Sequence, residues 1–332
     1  MSSIRDVARL AGVSVATVSR ALSMPEKVSA DSLAKVHTAI AQVGYKPNML
    51  ARNFRSARSY AVVVLVPDIA NPFYSLFIRA LEDRAQQKGY AVLLGDTRGT
   101  PERELDYIHR VETRLADGII QLRPSSAKSQ NIIPPGIPCV NACGCEYTTG
   151  PAIRIDNRGA AKSMVEYLIS LGHRRIGVLS GLKDNPHTID RLEGYKEALR
   201  GAGIEFDRDL LAEGDFTMWS GLNAAFQFCN MKNRPTAIFS MNDEMAIGAM
   251  QTFKSQGIRI PEDMSVTGFD DIAYAKYCDP SLTTISQPAE EMGKMAMDML
   301  LRIIEGEQLA QTECILPTEF IIRKSTAPAK KT

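Results

Sequence analysis

Ser3-Ile-Arg-Asp-Val-Ala-Arg-Leu-Ala-Gly-Val-Ser-Val-Ala-Thr-Val-Ser-Arg-Ala-Leu22 reads as two short helices hinged at Gly12. Ser3 is placed to cap the first, with Asp6 three residues on, and Ser14 to cap the second, with Thr17 in the same relation. Between them, in Ala11-Gly12-Val13, Gly12 supplies the positive φ that a tight inter-helix turn requires, while Ala8, Val13, Val18 and Leu22 offer small apolar contacts for helices crossing steeply. A third helix is expected from about Ser29 to Val43, with Val36, Ile40 and Val43 on one side closing a three-helix core. That is the plan of a DNA-reading helix-turn-helix. On its second helix Val15, Ala16 and Arg20 point away from the core, where base edges are met. Arg20 suits guanine O6 and N7, and Val15 or Ala16 a thymine methyl. Ser14, Thr17, Ser19 and Arg5 are assigned to the DNA backbone. A helical hairpin without a DNA role is the competing reading of the same pattern.

Charge favours DNA. Residues 1–60 hold nine Lys or Arg and three Asp or Glu, a balance of +6; the remainder holds 30 and 35, a balance of −5. Basic charge gathered on one small domain is the footprint of phosphate binding, which an even distribution would not be.

The chain has 332 residues, 45% apolar and 23% charged, enough for more than one globular domain. No apolar run is long enough to span a bilayer, so no membrane association is expected. The start lacks an apolar signal core, and six cysteines in this length read as free thiols rather than a disulfide framework. A cytoplasmic location is the expectation.

After residue 60, β-branched runs alternate with amphipathic stretches. Ala61-Val66, Ala91-Gly95, Gly118-Leu122, Pro138-Asn141, Ile153-Ile155, Arg175-Leu179, Thr236-Ser240 and Met264-Phe269 read as strands. Such alternation predicts parallel sheets covered by helices, and so many units predict two doubly wound lobes with a ligand cleft between them. Asp156-Asn157, Thr284-Pro288 and roughly Leu316-Ile322 are the expected crossings between lobes.

These segments keep their order from Ser3 to about Ala327, and over that span the chain resembles the lactose-repressor (LacI/GalR) family. The matching residues include Ile4-Arg-Asp-Val-Ala-Arg-Leu-Ala-Gly-Val-Ser14, Gly44-Tyr-Lys-Pro-Asn48, Asn71-Pro-Phe-Tyr74, Leu171-Gly-His-Arg-Arg-Ile-Gly177, Arg191-Leu-Glu-Gly194, Asn242-Asp-Glu-Met-Ala246, Gly268-Phe-Asp-Asp271 and Leu282-Thr-Thr-Ile285. Val66-Pro-Asp-Ile69, Gly214-Asp-Phe-Thr217 and Tyr277-Cys-Asp-Pro280 are similar to its nucleoside-repressor branch. The resemblance implies an α/β protein: an N-terminal all-α three-helix helix-turn-helix headpiece plus a periplasmic-binding-protein-like core of two doubly wound parallel-sheet lobes. It divides the chain into a headpiece at 1–46, a hinge helix and linker at 47–59, a ligand-binding and dimerisation core at 60–327 and a tail at 328–332. Within the core the N-lobe takes about 60–155 and 286–316, and the C-lobe about 156–285 and 317–327. The hinge implied by the family folds on the operator and enters the minor groove, here with Ala51, Phe54 and Arg55; Phe54 stands where relatives usually carry Leu as the wedge between base pairs.

A polyol or nucleoside in the cleft needs apolar walls and polar groups that pair vicinal hydroxyls. Phe73, Tyr74, Phe216 and Trp219 are candidate walls; Asn71, Asn141, Arg191, Asn242, Asp270 and Gln287 are candidate hydroxyl partners. Arg191, Asn242, Asp270 and Gln287 match positions that bind the pentose in ribose-binding proteins and ribose or nucleoside repressors, so the resemblance implies a ribose-containing nucleoside or a pentose. Another sugar or a purine is the alternative effector. Each residue also has a structural reading: Phe73 or Phe216 as core, Asp270 as a helix cap, and Asp243 as a helix start.

No P-loop, G-x-S-x-G elbow or H-E-x-x-H pair is present, and Ser32-Leu-Ala-Lys35 and Ser125-Ser-Ala-Lys128 fit S-x-x-K without its companion motifs. No catalytic residues and no cofactor are therefore expected. Cys139, Cys143 and Cys145 form a cluster, but with only four histidines in the chain and no second C-x-x-C they read as small buried thiols, so no metal is expected, and Met292 to Met299 reads as packing. A cytosolic sugar- or nucleoside-binding protein or enzyme without DNA function is the alternative of a different class. The expected partners are double-stranded, pseudo-palindromic operator DNA, a small-molecule effector and a second copy of the chain. A half-site reader needs two-fold symmetry, and the C-terminal residues carry no heptads for a tetramer, so a homodimer is expected.

Overall fold

Ser3 and Asp6 begin the first helix reciprocally: Ser3 Oγ accepts from the Asp6 amide at 3.3 Å, and the Ser3 amide donates to Asp6 Oδ2 at 2.9 Å. The computed structural model describes residues 3–45, 58–123, 133–145, 148 and 150–330. The expected hinge contacts Ala51, Phe54 and Arg55 lie outside the described residues. The chain divides into two compact units, Met1–Ser59 and Tyr60–Thr332.

In the first unit, α1 (Ile4–Ala11), α2 (Val15–Ser23) and α3 (Ala30–Val43) follow their start signals. Ser14 Oγ accepts from the Thr17 amide at 3.0 Å, and Ser29 Oγ from the Ser32 amide at 3.4 Å. Gly12 sits at φ 66°, a left-handed conformation that costs a side-chain-bearing residue roughly 1 kcal/mol or more. That turn swings α2 across α1 so that Val7, Ala8, Ala11, Val18, Ala21, Val36 and Ala39 close a small core, with Leu22, Ile40 and Val43 at its margin.

The second unit begins with β1 (Ala61–Val66), a continuous apolar run with every residue buried, as befits a central parallel strand covered on both faces. There follow α4 (Phe73–Gln87), β2 (Ala91–Asp96), α5 (Pro101–Glu112), β3 (Ile119–Gln121), β4 (Cys139–Asn141) and β5 (Ala152–Ile155). The chain then crosses at Asp156 into α6 (Asn157–Ser170), β6 (Ile176–Ser180), α7 (Pro186–Gly201), β7 (Leu211–Glu213), α8 (Met218–Cys229), β8 (Ala237–Ser240), α9 (Asp243–Ser255), β9 (Ser265–Thr267) and the short α10 (Ala273–Tyr277). Through β10 (Thr284–Ser286) it returns to α11 (Ala289–Ile304) and β11 (Glu313–Leu316), and β12 (Glu319–Ile321) leads back.

One sheet has the strand order β11-β5-β4-β3-β1-β2 and the other β7-β6-β8-β9; every pairing in both is parallel. The crossing strands β10 and β12 form their own antiparallel ribbon, Ile285 opposite Phe320. A hydrophobic cluster runs through both lobes beside these crossings, joining Val62, Phe77 and Ile153 to Tyr195, Phe239, Phe269 and Ile285. Fully burying each such large side chain is worth about 1.5–3 kcal/mol.

Two features depart from the sequence reading. The strands β7, β10, β11 and β12 were not anticipated. The residues read as a tail beyond 327 dock on the C-lobe as far as Lys330: the Ala329 amide donates to the Leu171 carbonyl at 2.8 Å and Lys330 Nζ reaches Asp263 Oδ1 at 2.6 Å. Buried His173 anchors the same strip, its ring nitrogens 2.9 Å from Thr236 Oγ1 and 3.0 Å from the Ala327 carbonyl. Among the described residues no helix is long and apolar enough to cross a membrane.

Candidate functional site

On the headpiece, the exposed surface of α2 carries the residues assigned to bases. Val15 is 41% exposed, and Ala16 and Arg20 are also exposed, while Val18 is fully buried. Ser14 is exposed but its hydroxyl is committed to the cap of α2, lying 2.9 Å from Thr17 Oγ1. Arg5 is exposed; Thr17 and Ser19 are half-buried. A small apolar pair in the first turn and a guanidinium in the last turn are thus all solvent-facing on one capped helix, an arrangement a major groove accepts.

In the core, each sheet reverses its winding beside its first strand, between β1 and β3 and between β6 and β8, and ligands of such sheets sit at the carboxyl ends there. The candidate cleft residues all follow carboxyl ends or the crossing: Asn71, Phe73 and Tyr74 after β1, Asn141 at the end of β4, and Arg191 on α7 after β6. Phe216 comes after β7, Asn242 after β8, Asp270 after β9 and Gln287 after β10.

Arg191 is the centre of the cluster and is 3% exposed. Its Nε donates to Asn157 Oδ1 at 2.8 Å, its Nη1 donates to the Met241 carbonyl, and its guanidinium lies 3.6 Å from the Phe269 ring centroid. Nη2 stands 3.7 Å from Asp270 Oδ1, which also accepts from Gln287 Nε2 at 2.7 Å. Burial pushes the Asp270 carboxyl up to about 6, although Arg191 pulls the other way. Burial likewise lowers the Arg191 pKa, against the opposing pull of Asp270. The Tyr74 hydroxyl is driven well up, first by burial and then by the nearness of Cys143 and Asp270, so the N-lobe presents it to this same group.

Asp270 and Asp271 adopt φ of 106° and 55°, strained for residues with side chains. The loop is held there from several sides. The Asp270 amide donates to the Ile285 carbonyl at 2.8 Å, Arg323 Nη2 donates to Asp271 Oδ1 at 2.6 Å, and the Ile272 amide donates to Asp243 Oδ2 at 2.9 Å.

Three candidate hydroxyl partners are engaged in shaping the backbone. Asn242 Oδ1 caps α9 through the Met245 amide at 3.0 Å, and its Nδ2 donates to the Phe216 carbonyl at 2.8 Å. Asn71 Oδ1 accepts from the Phe73 amide at 2.9 Å. Asn141 Nδ2 donates to the Arg123 carbonyl at 3.0 Å, and its Oδ1 accepts from the Cys143 amide at 3.2 Å. Of the candidate walls, Phe73 and Tyr74 meet edge to face at 5.1 Å. Phe216, at φ 73°, lays its ring against Gly181, where any Cβ would come within 2.1 Å of it. Trp219 is 70% exposed.

Sequence reasoning missed His187 and undervalued Asp243. His187 Nε2 lies 3.2 Å from the Cys143 carbonyl; the signal available was its place four residues before Arg191 on one helix. Asp243 begins α9, with Asn242 as the cap, yet it is fully buried and accepts from Thr284 Oγ1 at 2.6 Å on the crossing strand. Burial and the neighbouring Asp270 hold its pKa well above the carboxylate range.

A second concavity, about 480 Å³, lies beside the first crossing and is lined by Arg154, Arg158, Lys162, Asp190 and Glu197. Its cations are already engaged: Arg154 with Glu313 at 2.7 Å, Arg158 with Glu197, and Lys162 with Glu166 at 3.7 Å. Among the described residues no cluster of His, Cys, Asp or Glu is arranged to hold a metal ion, and burial pushes the Cys139 and Cys143 thiols up to about 12.

The described geometry has close counterparts. The family model "Bacterial regulatory proteins, lacI family" matches residues 3–48, and "Periplasmic binding protein-like domain" matches residues 165–326. The chain is 40% identical over 330 residues to the HTH-type transcriptional repressor CytR of Escherichia coli (strain K12), covering 98% of this chain and 96% of that protein. The lac repressor dimer bound to operator and the anti-inducer ONPF superposes with a TM-score of 0.89 at 29% identity, covering 98% of this chain and 99% of that one. A LacI family transcriptional regulator from Enterococcus faecium with bound ribose gives a TM-score of 0.72 at 30% identity over 81% of this chain and all of that one. With a capped helix-turn-helix on one unit and a buried polar cleft in the other, the chain belongs to the LacI family of bacterial regulatory proteins and is a ligand-regulated transcriptional repressor, not an enzyme.

Proposed function

We propose that the effector is a ribose-containing nucleoside or a pentose, bound between the lobes by Arg191, Asp270 and Gln287 against Phe73, Tyr74 and Phe216. The observation that carries this is the spacing of the buried pair. At 3.7 Å, Arg191 Nη2 and Asp270 Oδ1 are too far apart for a direct hydrogen bond, so a cationic donor and an anionic acceptor stand side by side with capacity for two vicinal hydroxyls. A buried charged group that finds such a partner gains about 1.5–3 kcal/mol. The Enterococcus faecium relative with bound ribose supports the same class. The chain acts in the cytoplasm as a homodimer on a pseudo-palindromic operator, with Val15, Ala16 and Arg20 on bases and Arg5, Ser14, Thr17 and Ser19 on the backbone.

The test is a melting-temperature series of the full chain with cytidine, adenosine, D-ribose, hypoxanthine and lactose. A ligand that binds only the folded state stabilises it by about 2.7 kcal/mol at one hundred times its Kd. Ribose-bearing compounds should raise the melting temperature. A rise with hypoxanthine or lactose alone would instead support an effector of another class.

A further inference from the structure

His187 sits on α7 of the C-lobe, and the oxygens nearest its Nε2 belong to the N-lobe: the Cys143 carbonyl at 3.2 Å and the Gly144 carbonyl at 3.4 Å, both just after β4. Carbonyls only accept, so Nε2 carries the proton and donates to this pair. Burial, reinforced by the charge of Arg191, drives the imidazole pKa down to about 3, which leaves the ring neutral and its single proton in that bond at any physiological pH.

Each end is tied to its own lobe. The acceptor loop is tied by the Cys143 amide to Asn141 Oδ1 at 3.2 Å, by the Gly144 amide to the Ile153 carbonyl at 3.1 Å and by the Cys145 amide to Thr148 Oγ1 at 2.7 Å. The donor stands one helical turn before Arg191, on the same face of α7. A displacement of α7 that seats Arg191 on a ligand therefore moves His187 relative to the two carbonyls.

We infer that His187 is a positioning residue that latches the cleft, fastening the C-lobe to the N-lobe through the Cys143 and Gly144 carbonyls and linking lobe closure to occupation of Arg191. Its coupling to effector response rests on the cleft being the effector site; the latch itself does not.

Hydrogen exchange of the ligand-free full chain separates the two. A neutral hydrogen bond of this kind shifts an opening equilibrium about fivefold. H187A should raise exchange about that much in peptides covering 139–145 and 181–191, with β1 and β8 at wild-type protection. H187Q, which keeps a neutral N–H donor, should restore wild-type exchange in both segments. Unchanged exchange in H187A would overturn the latch. So would an H187Q protein that melts like wild type but exchanges like H187A. If H187A melts far below wild type, H187Q decides: wild-type exchange supports the latch and raised exchange refutes it. Because no ligand is present, failure of cytidine or ribose to bind the wild type would count against the effector reading while leaving the exchange result to stand.

Discussion

Replacing Asp270 by Asn removes a charge from the centre of the cleft with almost no change of shape, and two effects of opposite sign compete. At 3.7 Å and an effective dielectric of about 20, the attraction between Asp270 and Arg191 is worth roughly 4–5 kcal/mol before desolvation. Burial opposes it and wins, because the Asp270 pKa rises from 3.8 to about 6 with Arg191 in place. A carboxyl whose folded pKa lies above its unfolded value favours folding below pH 3.8; that contribution is lost between 3.8 and about 6 and is gone above it. Two pH units correspond to about 3 kcal/mol at neutral pH, which a permanently neutral Asn escapes. D270N should therefore be more stable than wild type by up to about 3 kcal/mol at pH 7.5, and by only about a third of that at pH 4.5. For a chain of this size each kcal/mol moves the melting temperature by roughly 2–4 °C, so thermal unfolding of ligand-free protein at the two pH values resolves it. Affinity for a ribose-bearing probe should fall by about 10–100-fold in the same variant, the cost of a lost charged hydrogen bond. A D270N protein that melts below wild type at pH 7.5 would refute the reasoning, since the ion pair would then outweigh burial.

On the headpiece, Arg20→Ala should cost about 1–3 kcal/mol at the cognate operator and relax base preference at one position, measured by gel shift on a library of sites; equal loss on every sequence would confine Arg20 to phosphate. Gly181→Ala puts a methyl group where the Phe216 ring lies, so it should cost about 1–3 kcal/mol of stability and weaken cleft ligands, with calorimetry as the check; unchanged ligand affinity would remove Phe216 from the wall. A fragment of residues 60–332 should keep ligand binding and dimerisation, by sedimentation and calorimetry, while losing all operator binding; residual specific binding would break the division of labour.

The local signals of the fold were legible because they are written in neighbouring residues. Ser3 with Asp6, Ser14 with Thr17 and Gly12 between them need only a few positions to specify two helices and a turn. The run Ala61–Val66 announces a strand buried on both faces. The strands β7, β10, β11 and β12 each include a polar residue, Glu213, Thr284, Glu313 and Glu319 among them, and owe their conformation to pairing partners far along the chain, so no apolar β-branched run marks them. The cleft shows the same division. The composition of Arg191, Asp270 and Gln287 suggested hydroxyl binding, but which Asn side chains are engaged as caps depends on amides that only the folded loop presents. Asp243 resembles any helix-start carboxylate until Thr284 and Ile272 are brought to it from elsewhere in the chain. Trp219, a candidate wall by its chemistry, is 70% exposed, which its neighbours in sequence do not reveal.

The β10–β12 ribbon also fixes the register of the two returning crossings. Its register pairs Thr284 with Ile321, Ile285 with Phe320 and Ser286 with Glu319, and a one-residue slip would turn buried Ile285 out to water. A change in the angle between the lobes that keeps this register must move the two strands together rather than slide one past the other. Asp270 is bridged to Ser286 on that ribbon and stands 3.7 Å from Arg191, so the cleft cluster and the returning crossings are parts of one connected framework.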